Sequence, residues 1–309
     1  MISKSKVPTW PTEMVKLSDE VYAYIQAKGT MGVSNAGLIA GEKHAAIVDT
    51  LSTVSMTEAF LKEVRNVTNK SIKYLINTHC HGDHCWGNHL LPEAVSISHN
   101  HCRKEMIQRG QPDPKKWAVL DPEKDFTGAC YTLTDVTFDH ALTIHLDSRE
   151  IHLLYYGYAH SEGDILVYLP EERIAFCGDF LFLYSTPAGQ RAFFAGWIEA
   201  LNKIAELDVR IYVPGHGPPC DREGLIKCRE YLMLIYNESR RTYEAGVPPR
   251  EAAIGMPLGE FKQWAEPERI LGNVDRLYQE FRGVESTSPL PVNFEVNLKA
   301  MKELAKSDW

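Results

Sequence analysis

The chain has 309 residues, 44% of them apolar and 24% charged, enough to bury a full core in one large domain or two modest ones. A formal net charge of −8 argues against a primary role in gripping nucleic acid or docking on an anionic membrane, both of which want a basic surface. No stretch approaches the roughly 18 apolar residues of a membrane span. Lys4 and Lys6 are followed by Pro8, Pro11 and Glu13 rather than by an apolar signal core, so the expected location is cytoplasmic.

Two short apolar runs, residues 21–25 and 37–40, and a third at 45–48 after Gly41-Glu42-Lys43, predict hairpin structure ending at Val48-Asp49-Thr50. Ala59, Leu61, Val64 and Val67 predict a helix over 56–69. A strand over 72–76 then delivers the chain into Asn77-Thr78-His79. A helical turn near 86–91 and a strand at 95–98 follow, and the polar, proline-bearing stretch 108–128 reads as a surface excursion. Strands are expected at 136–138, 142–145, 151–155, 165–169 and 174–176, a helix over 196–207, and a strand at 211–213 running into Pro214-Gly215-His216-Gly217. This alternation predicts an α/β fold with two mixed sheets and helices outside.

From Arg222 the texture becomes helical: Leu225, Tyr231, Leu232, Ile235 and Tyr243 recur at helical spacing up to Gly246, with further helices at 258–264 and 269–281. Residues 286–291 read as a linker before a last helix over 295–305. Residues 1–221 are therefore read as the catalytic domain and 222–309 as a helical extension packed on the same core.

The densest chemistry is His79-Cys80-His81-Gly82-Asp83-His84. His79 and His81, two apart at a strand end, can point the same way, while Asp83 and His84 diverge in a turn. Imidazole and carboxylate suit zinc, iron or manganese, and such a cluster is costly to bury without a compensating charge. The seven cysteines contain no CxxC pair and leave one unpaired in any disulfide scheme. Cys80 and Cys85 are read as small buried residues beside the histidines. His99, His101, His140, His145 and His152 are read as surface or supporting histidines, and Asp49 as either an exposed turn carboxylate or a group orienting a ligand histidine.

The His79-x-His81-x-Asp83-His84 motif after an apolar strand resembles the signature of the metallo-β-lactamase superfamily. Three further motifs follow in the family's order: Ala159-His160-Ser161-Glu162-Gly163-Asp164, Phe176-Cys177-Gly178-Asp179-Phe180-Leu181-Phe182 and Pro214-Gly215-His216-Gly217. The resemblance implies an αβ/βα four-layer sandwich, here with a C-terminal helical extension. It implies two divalent ions, zinc first with iron or manganese as alternatives. One would be held by His79, His81 and His160, the other by Asp83, His84 and His216, with Asp179 between them. It also implies a bridging hydroxide as nucleophile, with Asp83 moving the proton.

Where the commonest zinc β-lactamases carry a cysteine and, three residues on, a lysine, this chain has Asp179 and Phe182, so β-lactam hydrolysis is expected as a side reaction at most. The loop around His160 and the helical tail look most like bacterial hydrolases described as quinoprotein-relay or SoxH-like. The expectation is hydrolysis of an ester, lactone, thioester or amide in a small, uncharged or aromatic substrate; a homo-oligomer stays open. The rival is an iron-dependent thiol or persulfide oxidoreductase, which needs only the first set of ligands.

Overall fold

The chain begins as a meander, β1 (Glu13–Ser18), β2 (Val21–Ile25), β3 (Ala36–Ala40) and β4 (His44–Val48), each strand antiparallel to the next. The computed structural model describes residues 7–284, 299–300 and 302–306. Helix α1 (Val54–Val67) carries the chain to β5 (Ser71–Ile76), parallel to β4. Helix α2 (Gly82–Cys85), β6 (Val95–His99), α3 (Asn100–Arg109), α4 (Pro114–Leu120) and β7 (Val136–Phe138) follow, completing a seven-stranded sheet in chain order.

The second sheet has five strands in the order β12-β11-β10-β9-β8: β8 (Ala141–Leu146), β9 (Arg149–Tyr155), β10 (Ile165–Leu169), β11 (Ile174–Phe182) and β12 (Ile211–His216). Helix α5 (Phe194–Glu206) links the parallel pair β11 and β12. Then come α6 (Arg222–Glu244), α7 (Pro249–Ile254) and α8 (Ile270–Phe281).

The period of two along each strand explains the layers. On β4, Ala46 and Val48 join the core between the sheets, while Ala45 and Ile47 pack outward with Phe60 and Val64 of α1. On β10, Ile165, Val167 and Leu169 face the first sheet; Leu166 and Tyr168 face α5 and α6. Strands buried on both faces read as continuous apolar runs, which is how these segments look in the sequence. The result is helix, sheet, sheet, helix: the four-layer αβ/βα sandwich.

Several expectations need correction. Helix α1 is capped by Thr53, whose hydroxyl accepts the Met56 N–H at 3.2 Å. Its buried stripe is Thr57, Phe60 and Val64 rather than Ala59 and Val67, which are exposed, because the larger Phe60 ring takes the face toward the sheet. The stretch 108–128 is not a plain excursion: it contains α4 and brings Trp117 and Phe126 against Trp86. Strand β1 and helices α3 and α7 were not expected, since none shows a clean apolar period. The helical segment expected at 258–264 is a short 3-10 helix (Gly259–Gln263).

The extension from Arg222 shares one apolar cluster with the second sheet. Leu225, Cys228, Tyr231, Leu232 and Ile235 of α6 pack with Phe180, Phe182 and Trp197. The linker expected at 286–291 lies outside the described residues, as does the start of the last helix; 299–300 and 302–304 are helical. No described helix is long and apolar enough to cross a membrane.

Candidate metal centre

Strands β4, β5, β11 and β12 all end at one edge of the sandwich, where open α/β sheets place their ligands. Two clusters stand there with their ligand atoms within 4.8 Å of one another: His79, His81, His160 and Asp179, and then Asp83, His84 and His216. Asp179 joins them, since Oδ2 lies 3.1 Å from His160 Nε2 and 3.7 Å from His79 Nε2, while Oδ1 lies 3.1 Å from His84 Nε2 and 3.5 Å from His216 Nε2. Asp83 Oδ2 stands 3.4 Å from His216 Nε2 and 4.0 Å from His84 Nε2. The structure thus brings together all seven residues singled out in the sequence. Gly215 is needed for this approach, because a Cβ there would collide with the Asp179 carboxylate.

In the second cluster the outward nitrogen of each imidazole is committed, which leaves the inward nitrogen to face the other ligands. His84 Nδ1–H donates to Asp49 Oδ2 at 2.8 Å, and His216 Nδ1–H to the Val33 carbonyl at 3.1 Å. Asp49 is buried and also accepts the Thr78 N–H (2.8 Å) and hydroxyl (2.7 Å), which resolves its role as the orienting one. Asn35 donates to the carbonyls of Pro214 (2.9 Å) and Gly217 (2.8 Å), clamping the backbone on both sides of His216. Asn35 and Thr78 carried no signal in the sequence, because an isolated polar residue beside a strand reads as an ordinary turn.

The electrostatics fit a cationic guest. Burial, then the neighbouring imidazoles, pushes the pKa of His79 and His81 well below the ordinary histidine value, leaving neutral donors. Burial also opposes protonation of His84, yet Asp179, Asp49 and Asp83 together hold its pKa well above the usual value. Burial alone would raise Asp179, but His216, His84, His160 and His79 hold it well below the carboxylate range. His81 Nδ1 faces both His79 Nε2 (3.1 Å) and His160 Nε2 (2.8 Å), although one nitrogen can share a single proton with only one of them. His84 Nε2 and Asp179 Oδ1 are buried without a hydrogen-bond partner among the described residues. Converging lone pairs around an orphaned carboxylate oxygen are what a divalent ion satisfies.

The cleft above this cluster has an aromatic wall. Trp86 meets Trp117 edge-on at 5.0 Å and Phe126 and Tyr131 at 6.0 Å. Among the aromatics close to the ligand motifs, Trp86 lines the cleft, whereas Phe182 and Trp197 pack behind the histidines. Phe182 stacks on His216 at 4.9 Å, and Trp197 meets His160 edge-on at 5.2 Å. Cys80 and Cys85 are buried and belong to neither cluster; the Cys80 thiol donates to Glu105.

Residues 29–216 match the family model of the metallo-beta-lactamase superfamily. The chain belongs to this superfamily. It is 28% identical over 250 residues, 77% of its length and 92% of the other's, to a metallo-beta-lactamase type 2 of Bacteroides fragilis. It is 26% identical over 190 residues to the 2,4-dinitroanisole O-demethylase subunit alpha of Nocardioides sp. strain JS1661, covering 60% of this chain and 53% of that one. The solved structure of the inverting sec-alkylsulfatase Pisa1 from Pseudomonas sp. superposes over 91% of this chain and 52% of its own, with a TM-score of 0.65 at 16% identity. At that identity the likeness concerns the fold alone.

Proposed function

We propose that the chain is a metal-dependent hydrolase that cleaves an ester, lactone, thioester or amide bond in a small molecule. The carrying observation is the Asp179 carboxylate, one oxygen turned to each cluster. His79, His81 and His160 would hold one divalent ion, Asp83, His84 and His216 the other, with Asp179 shared and zinc the first expectation. When bound, such ions supply Lewis acidity toward the substrate oxygen and lower the pKa of water to near neutrality.

The chain's own residues do the rest. Asp83 is the most accessible of the buried cluster's carboxylates, with a side-chain exposure of 17% against 3% for Asp179. Its free oxygen is placed to take a proton from the attacking water and return it to the leaving group. Asp49 and the Val33 carbonyl hold His84 and His216 in the tautomer whose Nε2 faces inward. Trp86, Trp117 and Phe126 give the apolar part of a substrate a dry surface. Phe182 is buried under His216 and offers no charge to a β-lactam, which supports the acyl-bond reading over antibiotic hydrolysis. The presence of every second-cluster ligand supports it over an iron-dependent oxidoreductase, which needs only the first.

The test is metal analysis of the isolated protein together with a panel of aryl ester, lactone, thioester, β-lactam and phosphodiester substrates. Two divalent ions per chain with turnover of acyl substrates is the expected result. One ion that added metal does not raise to two, or turnover of phosphodiesters alone, would overturn it.

A further inference from the structure

Charge is not evenly settled around the cleft. Arg269 is paired with Glu266 at 2.5 Å and donates to the Thr186 carbonyl at 2.5 Å. Arg109 is paired with Glu105 at 3.4 Å, and Asp121 with Lys124 at 2.5 Å. Asp83 and Asp179 belong to the metal clusters. Among the described residues Arg191 is left over: it lines the cleft, is only partly exposed, and no hydrogen bond or ion pair engages its guanidinium.

The backbone around Arg191 is pinned rather than loose. Its carbonyl accepts from Tyr158 Oη at 2.5 Å, the Ala192 carbonyl accepts from buried Arg276 at 2.7 Å, and the Gly189 N–H donates to Asn273 at 2.7 Å. The Phe193 N–H donates to the carbonyl of Ala159, next to the ligand His160, at 2.8 Å. Burial, then the like charge of Arg109, lowers the pKa of Arg191, although a guanidinium stays protonated in proteins. Glu105, already paired with Arg109, offsets this only in part, so a half-buried guanidinium without a direct partner is stabilised when an anion arrives. Phosphate-rich ligands would demand several such cations, whereas the free charge here is one, beside an aromatic wall.

We propose that Arg191 anchors a single carboxylate of the substrate, whose apolar or aromatic part lies against Trp86 and Trp117 while its acyl bond reaches the metal clusters. The placement of the acyl bond rests on the hydrolase reading; the anchor itself does not. It departs from the expectation of an uncharged substrate, because the loop before α5 presents a cation to the cleft.

The experiment uses the metal-loaded protein and two chromogenic esters of equal length, mono-p-nitrophenyl glutarate, which carries a carboxylate, and neutral p-nitrophenyl valerate. Arg191→Gln should lower the glutarate-to-valerate ratio of kcat/KM by about 10- to 100-fold, the worth of hydrogen bonds to a charged group, with the loss mainly in KM. Arg191→Lys keeps the charge but loses the planar fork, and should fall in between; it also serves if the glutamine variant does not fold. Calorimetric binding of phenylacetate against phenylacetamide supplies a readout free of turnover. Any carboxylate affinity of the metals is common to both proteins and cancels. If the wild type hydrolyses the esters and the variants change neither preference by more than twofold, the anchor is overturned and the hydrolase reading stands. If neither these esters nor the lactone, thioester and amide substrates are hydrolysed but Arg191→Gln loses its preference for phenylacetate, the anchor stands and the hydrolase reading fails. Loss of neither preference in a protein without turnover sinks both.

Discussion

Asp49 offers a sharp test of how the second cluster is organised, because it touches no ligand atom that would face a metal. Its carboxylate accepts three donors, the Thr78 N–H and hydroxyl and His84 Nδ1–H, all in buried surroundings. Asp49→Ala orphans all three at about 1–3 kcal/mol each, so a loss of about 3–9 kcal/mol is expected, a large share of the 5–15 kcal/mol typical of a domain. Asp49→Asn is the finer instrument. With its carbonyl oxygen in the Oδ1 position it keeps the Thr78 N–H bond, and the Thr78 hydroxyl can turn to accept from the amide, but the amide nitrogen in the Oδ2 position then points an N–H at His84 Nδ1–H. Relief requires His84 to move its proton to Nε2, the nitrogen that faces Asp179 at 3.1 Å. The asparagine variant should therefore unfold within about 2 kcal/mol of wild type, the scale of one compromised charged hydrogen bond, yet bind its second ion about 10–100-fold more weakly. Urea melts and metal titration with a chromogenic chelator measure the two quantities separately. A folded Asp49→Asn protein with wild-type affinity at both sites would refute the claim that this carboxylate sets the His84 tautomer.

Three other outcomes are expected. Asp83→Ala should cut turnover of any active acyl substrate by at least about 10²–10⁴ while the far-ultraviolet dichroism is kept and the first cluster retains its ion; loss of both ions would show that the clusters assemble together. Phe60→Ala removes a fully buried ring between α1 and the first sheet and should cost about 3–5 kcal/mol in denaturant melts without altering metal stoichiometry. Removing metal with a strong chelator should lower the Tm, since ions that bind only the folded state stabilise it by mass action, and zinc should restore it; an unchanged Tm would argue against resident ions.

The parts of this molecule most legible in its sequence are those with a period or a motif. Residues 165–169 alternate between two buried faces, and the four ligand motifs stand at strand ends, so both the sandwich and the seven converging side chains could be read in advance. What escaped has a common physical origin. Asp49, Thr78 and Asn35 act through single hydrogen bonds to residues far along the chain, such as Asn35 to Pro214 and Gly217, and a lone polar residue has no period. Trp117 and Phe126 sit in a polar stretch whose helix α4 buries none of its seven residues, so the local pattern reads as solvent-exposed while tertiary packing turns two aromatics to the cleft. Arg191 was invisible for the opposite reason: its meaning lies in the absence of a partner, which only three dimensions disclose.

The Asn35 clamp has a consequence for the order in which the molecule assembles. The loop bearing His216 is latched by a residue 179 positions earlier for one bond and 182 for the other. Contacts so distant in sequence form late, because the chain between them must already be collapsed. During synthesis the His79–His81 turn leaves the ribosome long before His216, so a partial chain displays half of a chelating pocket with nothing to close it. Such a chain would grip stray metal weakly and release it. Tight retention begins only when the last parallel strand, β12, docks beside β11. Metal capture is thereby tied to completion of the second sheet, and a chain truncated before that strand should fail as a metal-binding protein even where its first sheet has formed.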